Sequence, residues 1–249
     1  MSCEISLEQF VTLHALILTC EKLDESYFGP LNTLGSPFSP GYEFGYELIK
    51  QLINVKLIKP KQPKFKDFMT FTKTGKEPAY AKVNWVILFD GFEAYLKDIT
   101  KDNINSNSIH RWKGEVAKFQ QKLAFAECRE FYEYCLNIRN LIYDFDNKTE
   151  VLIVNLLNDH SVSQCYQIFW DSAKYTVDFR ARNPKIYKTV ISIMNEACIR
   201  YSNRAKEKNW QIKGFDRNVN LPRNMINYVL YEIILMSEDS GFTNKVYKN

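Results

Sequence analysis

The sequence predicts a mainly α protein, a small N-terminal α+β domain followed by an all-helical one, and three observations carry that expectation. Residues 40–76 (PGYEFGYELIKQLINVKLIKPKQPKFKDFMTFTKTGK) read as an amphipathic helix, a short strand and a lysine-rich hairpin. From residue 82 onward, apolar residues recur at three- and four-residue steps. Aromatic residues are plentiful (17 Phe, 15 Tyr, 4 Trp) and breakers scarce (9 Gly, 8 Pro), which favours packed helices over loops.

A first helix is expected after Ser6, with Gln9 at capping-box spacing and Phe10, Leu13, Leu16, Ile17 and Cys20 on one face. Residues 28–41 concentrate Gly, Pro, Ser and Asn and read as turn or loop. The next helix starts near Gly41, runs to about Asn54, and buries Phe44, Leu48, Ile49, Leu52 and Ile53. Residues 55–58 favour a short strand, and Pro60 and Pro63 bar it from a central position. Residues 68–72 are a second strand candidate, with a turn at Gly75. Helix, breaker-rich connection, helix, strand and basic hairpin together have the shape of a winged helix-turn-helix, a winged-helix-like domain over residues 1–80.

Residues 81–108 are expected to form a connecting helix (Trp85, Val86, Phe89, Phe92, Tyr95, Leu96, Ile99) and then a polar linker, KDNINSNS at 101–108. An all-helical domain over 109–249 follows. Its first helix spans about 111–140, with Val116, Phe119, Leu123, Ala126, Phe131, Tyr134 and Cys135 inward and Lys113, Lys118, Lys122, Glu127, Arg129, Glu130 and Glu133 toward water. Thr149 is the expected cap of VLIVNLL, which fits either a helix or a buried strand. Asp159 or Ser161 caps a helix burying Cys165, Ile168, Phe169, Ala173 and Val177. A second long helix is expected over 186–209, and a last one, opened by Pro222, buries Ile226, Val229, Leu230, Ile233, Ile234 and Met236. Residues 243–249 read as a frayed tail.

No basic n-region with an apolar run opens the sequence, and no stretch of about eighteen apolar residues occurs, so a cytoplasmic, non-membrane protein is expected. The six cysteines (Cys3, Cys20, Cys128, Cys135, Cys165, Cys198) are scattered without a CxxC and read as buried free thiols. His14, His110 and His160 share no ligand spacing, and His14 fits a core or boundary position. No metal site or cofactor is expected. GxSxG, GxxxxGK[ST] and GxGxxG are absent, so no catalytic residue is assigned. Asp144, Asp146 and Glu150 form the nearest approach to an acidic cluster and read as a solvated turn.

Charge is what remains. The net +4 hides a balance of −5 over residues 1–55, +6 over 56–76, −4 over 77–179 and +7 over 180–249. Lys56, Lys59, Lys61, Lys64, Lys66, Lys73 and Lys76 flank Phe65, Phe68 and Phe71, an interleaving suited to phosphates and bases. The same lysines also suit a solvated hairpin edge. Arg180, Arg182, Lys185, Lys188, Arg200 and Arg204 make a second basic zone, with Arg200 and Arg204 one turn apart. Against helix insertion, the 41–54 helix carries Glu43 and Glu47 with only Lys50.

The function expected is therefore non-enzymatic nucleic-acid binding, with backbone contacts to double-stranded DNA through a basic wing and the second zone. The alternative is an accessory subunit of a larger complex, for instance a bacterial or phage-defence assembly, whose activity resides in a protein partner.

Overall fold

The computed structural model describes residues 5–24, 26–31, 34–61, 69–72, 75–78, 80–88, 112–185 and 187–246 of the chain, with backbone alone at 69–72, 75–78 and 81. The chain is mainly helical with a small antiparallel sheet. It divides into one unit of residues 1–119 and 222–239 and another of 120–221 and 240–249. Residues 222–239 thus fold with the N-terminal unit, whereas the sequence placed them in the helical domain. No helix among the described residues is long and apolar enough to cross a membrane.

In the first unit, α1 (Leu7–Thr19) begins at the expected capping box: Ser6 Oγ accepts the Gln9 N–H and Gln9 Oε1 accepts the Ser6 N–H. Leu7, Phe10, Val11, Leu13, Ala15 and Leu16 are all buried, so the helix is enclosed on most sides. Trp112 lies against Phe10 at 5.1 Å and donates its indole N–H to the Ile5 carbonyl. The Glu115 carboxylate accepts the Leu7 N–H, placing a negative charge at the positive end of α1.

Four short strands follow in chain order, β1 (Lys22–Asp24), β2 (Tyr27–Phe28), β3 (Ile58–Pro60) and, after a hairpin, β6 (Trp85–Ile87). The sheet order is β1-β2-β6-β3, antiparallel throughout. Between β2 and β3 lies α2 (Tyr42–Asn54), started by Gly41 at φ 65° and packed on α1 through buried Leu48, Ile49 and Leu52. Phe44 and Ile53 are only half-buried, less than the sequence predicts. Residues 55–57 are the turn that ends α2, so the expected strand starts at Ile58, and Pro60 sits on the sheet edge that tolerates its missing N–H. Between β3 and β6, β4 (Met69–Thr72) and β5 (Gly75–Pro78) pair as a hairpin, Thr72 opposite Gly75. Gly75 therefore opens a strand.

One expectation fails outright in this unit: Trp85–Ile87 is a strand, not the start of a helix. A short apolar run satisfies both periods, and tertiary pairing decides. Trp85 and Ile87 are buried with Val86 half-exposed between them. The rest of that expected helix, from 89 to 99, and the 101–108 linker lie outside the described residues. The unit closes with α7 (Met225–Asn227) and the π-helical turns π1 (Tyr228–Ile234), which pack on α1. Met236, expected in the core, is half-exposed at φ 47°, because the helix has ended by then.

The second unit is built from α3 (Lys113–Asn137, from residue 120), α4 (Asn147–Asp159), α5 (Val162–Arg182), α6 (Val190–Glu207) and α8 (Ser240–Thr243). Phe131 stacks on Tyr166 at 3.8 Å, and Tyr132 meets Phe169 edge-on. The VLIVNLL segment is helical and Asp146, not Thr149, caps it: Asp146 Oδ1 accepts the N–H and hydroxyl of Thr149. These bonds hold the Asp146 carboxyl below its ordinary range. Ser161 caps α5 with Gln164 in a second capping box. The next helix begins at Val190 rather than 186, because Thr189 accepts the Ser192 N–H and sets the start. Val177 is exposed, since Thr176 takes the inward position. Phe242, just before the tail, is buried edge-on to Tyr166; Thr243, Asn244 and Lys245 are exposed, Val246 packs against the core, and 247–249 lie outside the described residues.

Glu127, expected on the water side of α3, is buried. It pairs with Arg217 at 3.1 Å, and Arg217 lies over the Phe242 ring. The ion pair ties the extended segment 208–221 to α3, where a lone buried charge would cost several kcal/mol. Five of the cysteines are buried and free, and Cys3 lies outside the described residues. Burial pushes the Cys20, Cys135 and Cys198 thiols up to about 12 and holds Cys128 well above its ordinary value, so none of these four is a ready thiolate.

Two outcomes follow for the first unit. Gly45→Ala would relieve a helix-interior glycine, worth about 1 kcal/mol. Its Cβ would, however, strike the buried Ser39 and Tyr80 hydroxyl oxygens. Overpacking wins, with a net loss of about 1–2 kcal/mol expected in urea unfolding; a gain in stability would refute that packing. His14 Nδ1 is buried without an acceptor or donor among the described residues, and burial lowers its pKa from 6.5 to about 4. The neutral ring's contribution is complete above pH 6.5 and is lost as pH falls toward 4, roughly 3 kcal/mol in all. Unfolding midpoints from pH 7 to 4 should drop less steeply in His14→Phe than in the natural chain, and parallel curves would refute this.

Candidate nucleic-acid interface

The first basic zone is shaped by the exit from α2. The Lys56 N–H returns to the Ile53 carbonyl with Lys56 at φ 60°, and the Leu57 N–H returns to Leu52. This tight reversal feeds β3, whose alternation buries Ile58 and turns Lys59 to solvent. Lys61 is then fixed twice. Its N–H is donated to the Asn84 carbonyl, and its ammonium sits 3.2 Å from the centre of the Tyr27 ring. Asn84 Nδ2 in turn donates to Tyr27 Oη at 2.7 Å. A cation on an aromatic face is worth about 0.5–1 kcal/mol at an exposed site, enough to bias where the charge is held.

Lys56, Lys59 and Lys61 are thus exposed and grouped where α2 gives way to the sheet edge, and Lys82 is exposed as well. Lys76 lies on β5, opposite Phe71, by its backbone. Lys64, Lys66 and Lys73, with Phe65 and Phe68, lie outside the described residues. The outer face of α2 exposes Tyr42, Glu43, Glu47, Lys50 and Gln51. Two carboxylates against one lysine make this a poor surface for phosphates.

The second zone is the α5–α6 hairpin. Arg180 and Arg182 are exposed in the last turn of α5, Lys185 and Lys188 in the loop, and Arg200 and Arg204 on α6. Basic residues in a last turn also complement the negative end of the helix. Lys188 is partly neutralised by Glu196 at 2.8 Å. Arg200 lies over the Tyr175 ring at 4.8 Å. Lys206, beyond Arg204, pairs with Asp159 at 2.6 Å.

Sequence reasoning missed the residues that organise these charges. Tyr27 and Asn84 are 57 positions apart and carry no local signal. Tyr175 was detectable, because it falls off the buried row formed by Ser172, Ala173 and Thr176. His160 Nε2 meets Ser202 Oγ at 2.8 Å, but both are buried, and burial lowers the imidazole pKa, so the contact joins α4's end to α6 rather than presenting a nucleophile. Among the described residues, no group of three or more His, Cys, Asp or Glu side chains converges as metal ligands would.

Comparison with protein-family models, with curated proteins and with solved structures finds no match to this chain.

Proposed function

We propose that this chain is a non-enzymatic nucleic-acid-binding protein whose N-terminal unit is a winged helix used wing-first. The observation that carries the reading is the sheet order β2-β6-β3, with α2 leading directly into β3 and a hairpin inserted between β3 and β6. That is the order in which a winged helix pairs its three strands, and the inserted hairpin is its wing. The wing region holds the lysines that the sequence concentrates at 56–76, and Lys59 and Lys61 stand at its base. The acidic α2 keeps away from phosphates, so contact with duplex DNA runs through the backbone with little sequence preference. Arg180, Arg182, Lys185, Lys188, Arg200 and Arg204 supply a second set of backbone contacts.

The test is duplex binding across a salt series for the natural chain and for a variant carrying Lys59→Glu, Lys61→Glu, Lys64→Glu and Lys66→Glu. The variant should lose most affinity, and its slope of log K against log salt should flatten by about 3 or more. Unchanged binding by the variant would sink the wing reading.

A second reading, an accessory subunit in a larger assembly, is favoured by the outer face of α2. Tyr42 and Tyr46 stack 6.4 Å apart, both lean on Tyr80, and Glu47 is exposed beside them. Exposed tyrosine suits a protein interface better than a phosphate one. On this reading Tyr42→Ala with Glu47→Lys releases a protein that co-purifies with the natural chain and leaves duplex binding intact; a partner retained by the variant would count against it.

A further inference from the structure

We infer that the outer face of the α5–α6 hairpin binds single-stranded nucleic acid, with the Tyr175–Arg200 pair as a stacking platform and the surrounding cations holding the backbone. The inference rests on the nucleic-acid reading above and adds the form of the ligand at this second zone.

Four aromatic side chains mark this face. Tyr175 is 40% exposed and Phe179 leans on it at 5.8 Å, one turn nearer the loop. Tyr201, on α6, meets Trp210 edge-on at 5.5 Å, and Trp210 is 39% exposed. A fifth, Tyr187, stands fully exposed in the hairpin loop between Lys185 and Lys188. Folding alone gives no reason to leave so much ring surface in water at one hairpin, because each buried aromatic ring contributes strongly to a core.

The cations are placed among these rings. Arg200 covers part of Tyr175, and Arg204 follows one turn later on α6, about 6 Å along the axis. Arg180 and Arg182 lie beyond Phe179, toward the loop. Of the acids of the hairpin, Glu196 is paired with Lys188, while Asp171 accepts the Gln167 amide at 2.7 Å and keeps its charge beside Tyr201. Asp178 and Glu207 are exposed as well, and these acids oppose a phosphate.

Rings interleaved with arginines recognise bases whose faces are free. Paired bases present only their edges in the grooves, so a duplex cannot use the rings and gains from the cations alone. An acidic protein partner would also meet the cations, but its carboxylates gain little from a stacking platform. The observations therefore favour an unpaired strand.

The experiment measures binding of the full chain to a labelled oligo(dT), an oligo(U) and a duplex of equal length, at fixed salt. Tyr175→Ala and Tyr187→Ala should each weaken oligo(dT) and oligo(U) binding by about five- to a hundredfold and leave duplex affinity within about twofold. Tyr175→Trp should restore binding, since an indole stacks as well as a phenol. Both tyrosines are exposed, so the variants should fold, which thermal unfolding checks. Equal weakening for strand and duplex would overturn the inference, as would no weakening, or displacement of the strand by polyglutamate but not by excess oligo(dT). The duplex arm with the charge-reversed wing separates the two readings. Loss there, with the hairpin variants silent, leaves the wing standing and removes the platform, while a natural chain that binds neither nucleic acid removes both.

Discussion

The N-terminal unit depends on one pairing, β6 between β2 and β3. Residues 85–87 join two chain segments that sequence separates by about thirty positions, and their register against Ile58 to Pro60 closes the loop that carries the basic hairpin. Trp85 anchors this pairing at 1% exposure, although its indole N–H has no acceptor among the described residues. Burial of a tryptophan is worth roughly 4–6 kcal/mol by area, whereas an unsatisfied donor costs about 1–3 kcal/mol. The balance favours keeping the ring inside. With β6 fixed, the Asn84 carbonyl meets the Lys61 N–H, Asn84's amide orients Tyr27, and the Lys61 charge is held over that ring.

The second unit uses charge differently. Its buried pair, Glu127 with Arg217, is enclosed and also bounded by Phe242, so water screens it little. That pair fastens the extended 208–221 segment, which Gln164 and Ser163 grip further along by bonds to Ile212 and Phe215. The exposed pairs, Lys188 with Glu196 and Lys206 with Asp159, contribute little to stability. Their consequence is local: they cancel charge at two points of a basic hairpin and leave Arg180, Arg182, Arg200 and Arg204 as its dominant cations.

Local signals were legible where the interaction is local. The Ser6 capping box spans three residues and sits where the pattern put it, and at the start of α5 Ser161, one of two expected caps, takes the role with Gln164. The long α3 follows its apolar spacing closely. Signals failed where a distant partner decides. Trp85, Val86 and Ile87 fit a helical period as well as a strand, and only β2 and β3 choose between them. Glu127 looks like any surface glutamate until Arg217, ninety residues on, is brought to it. Thr149 and Asp146 are both capping residues, and the choice between them turns on backbone angles. At the candidate interface the lysines were legible as charge, but the ring and amide that position Lys61 were not, and neither was the exposure of Tyr187 in the hairpin loop.

On the proposed reading, the two faces of the N-terminal unit would set the direction from which a polyanion approaches. Each α2 carboxylate brought within about 4 Å of a phosphate costs roughly 1 kcal/mol in water, and about 4 kcal/mol where a surface excludes water. With Glu43 and Glu47 both on the outer face, inserting α2 would cancel the gain from about two lysine contacts before any base is read. The strand edge carries no such penalty, since Lys56, Lys59 and Lys61 are exposed there with no ion pair among the described residues. On the proposed nucleic-acid reading, a polyanion would therefore meet this unit at the strand edge rather than at α2.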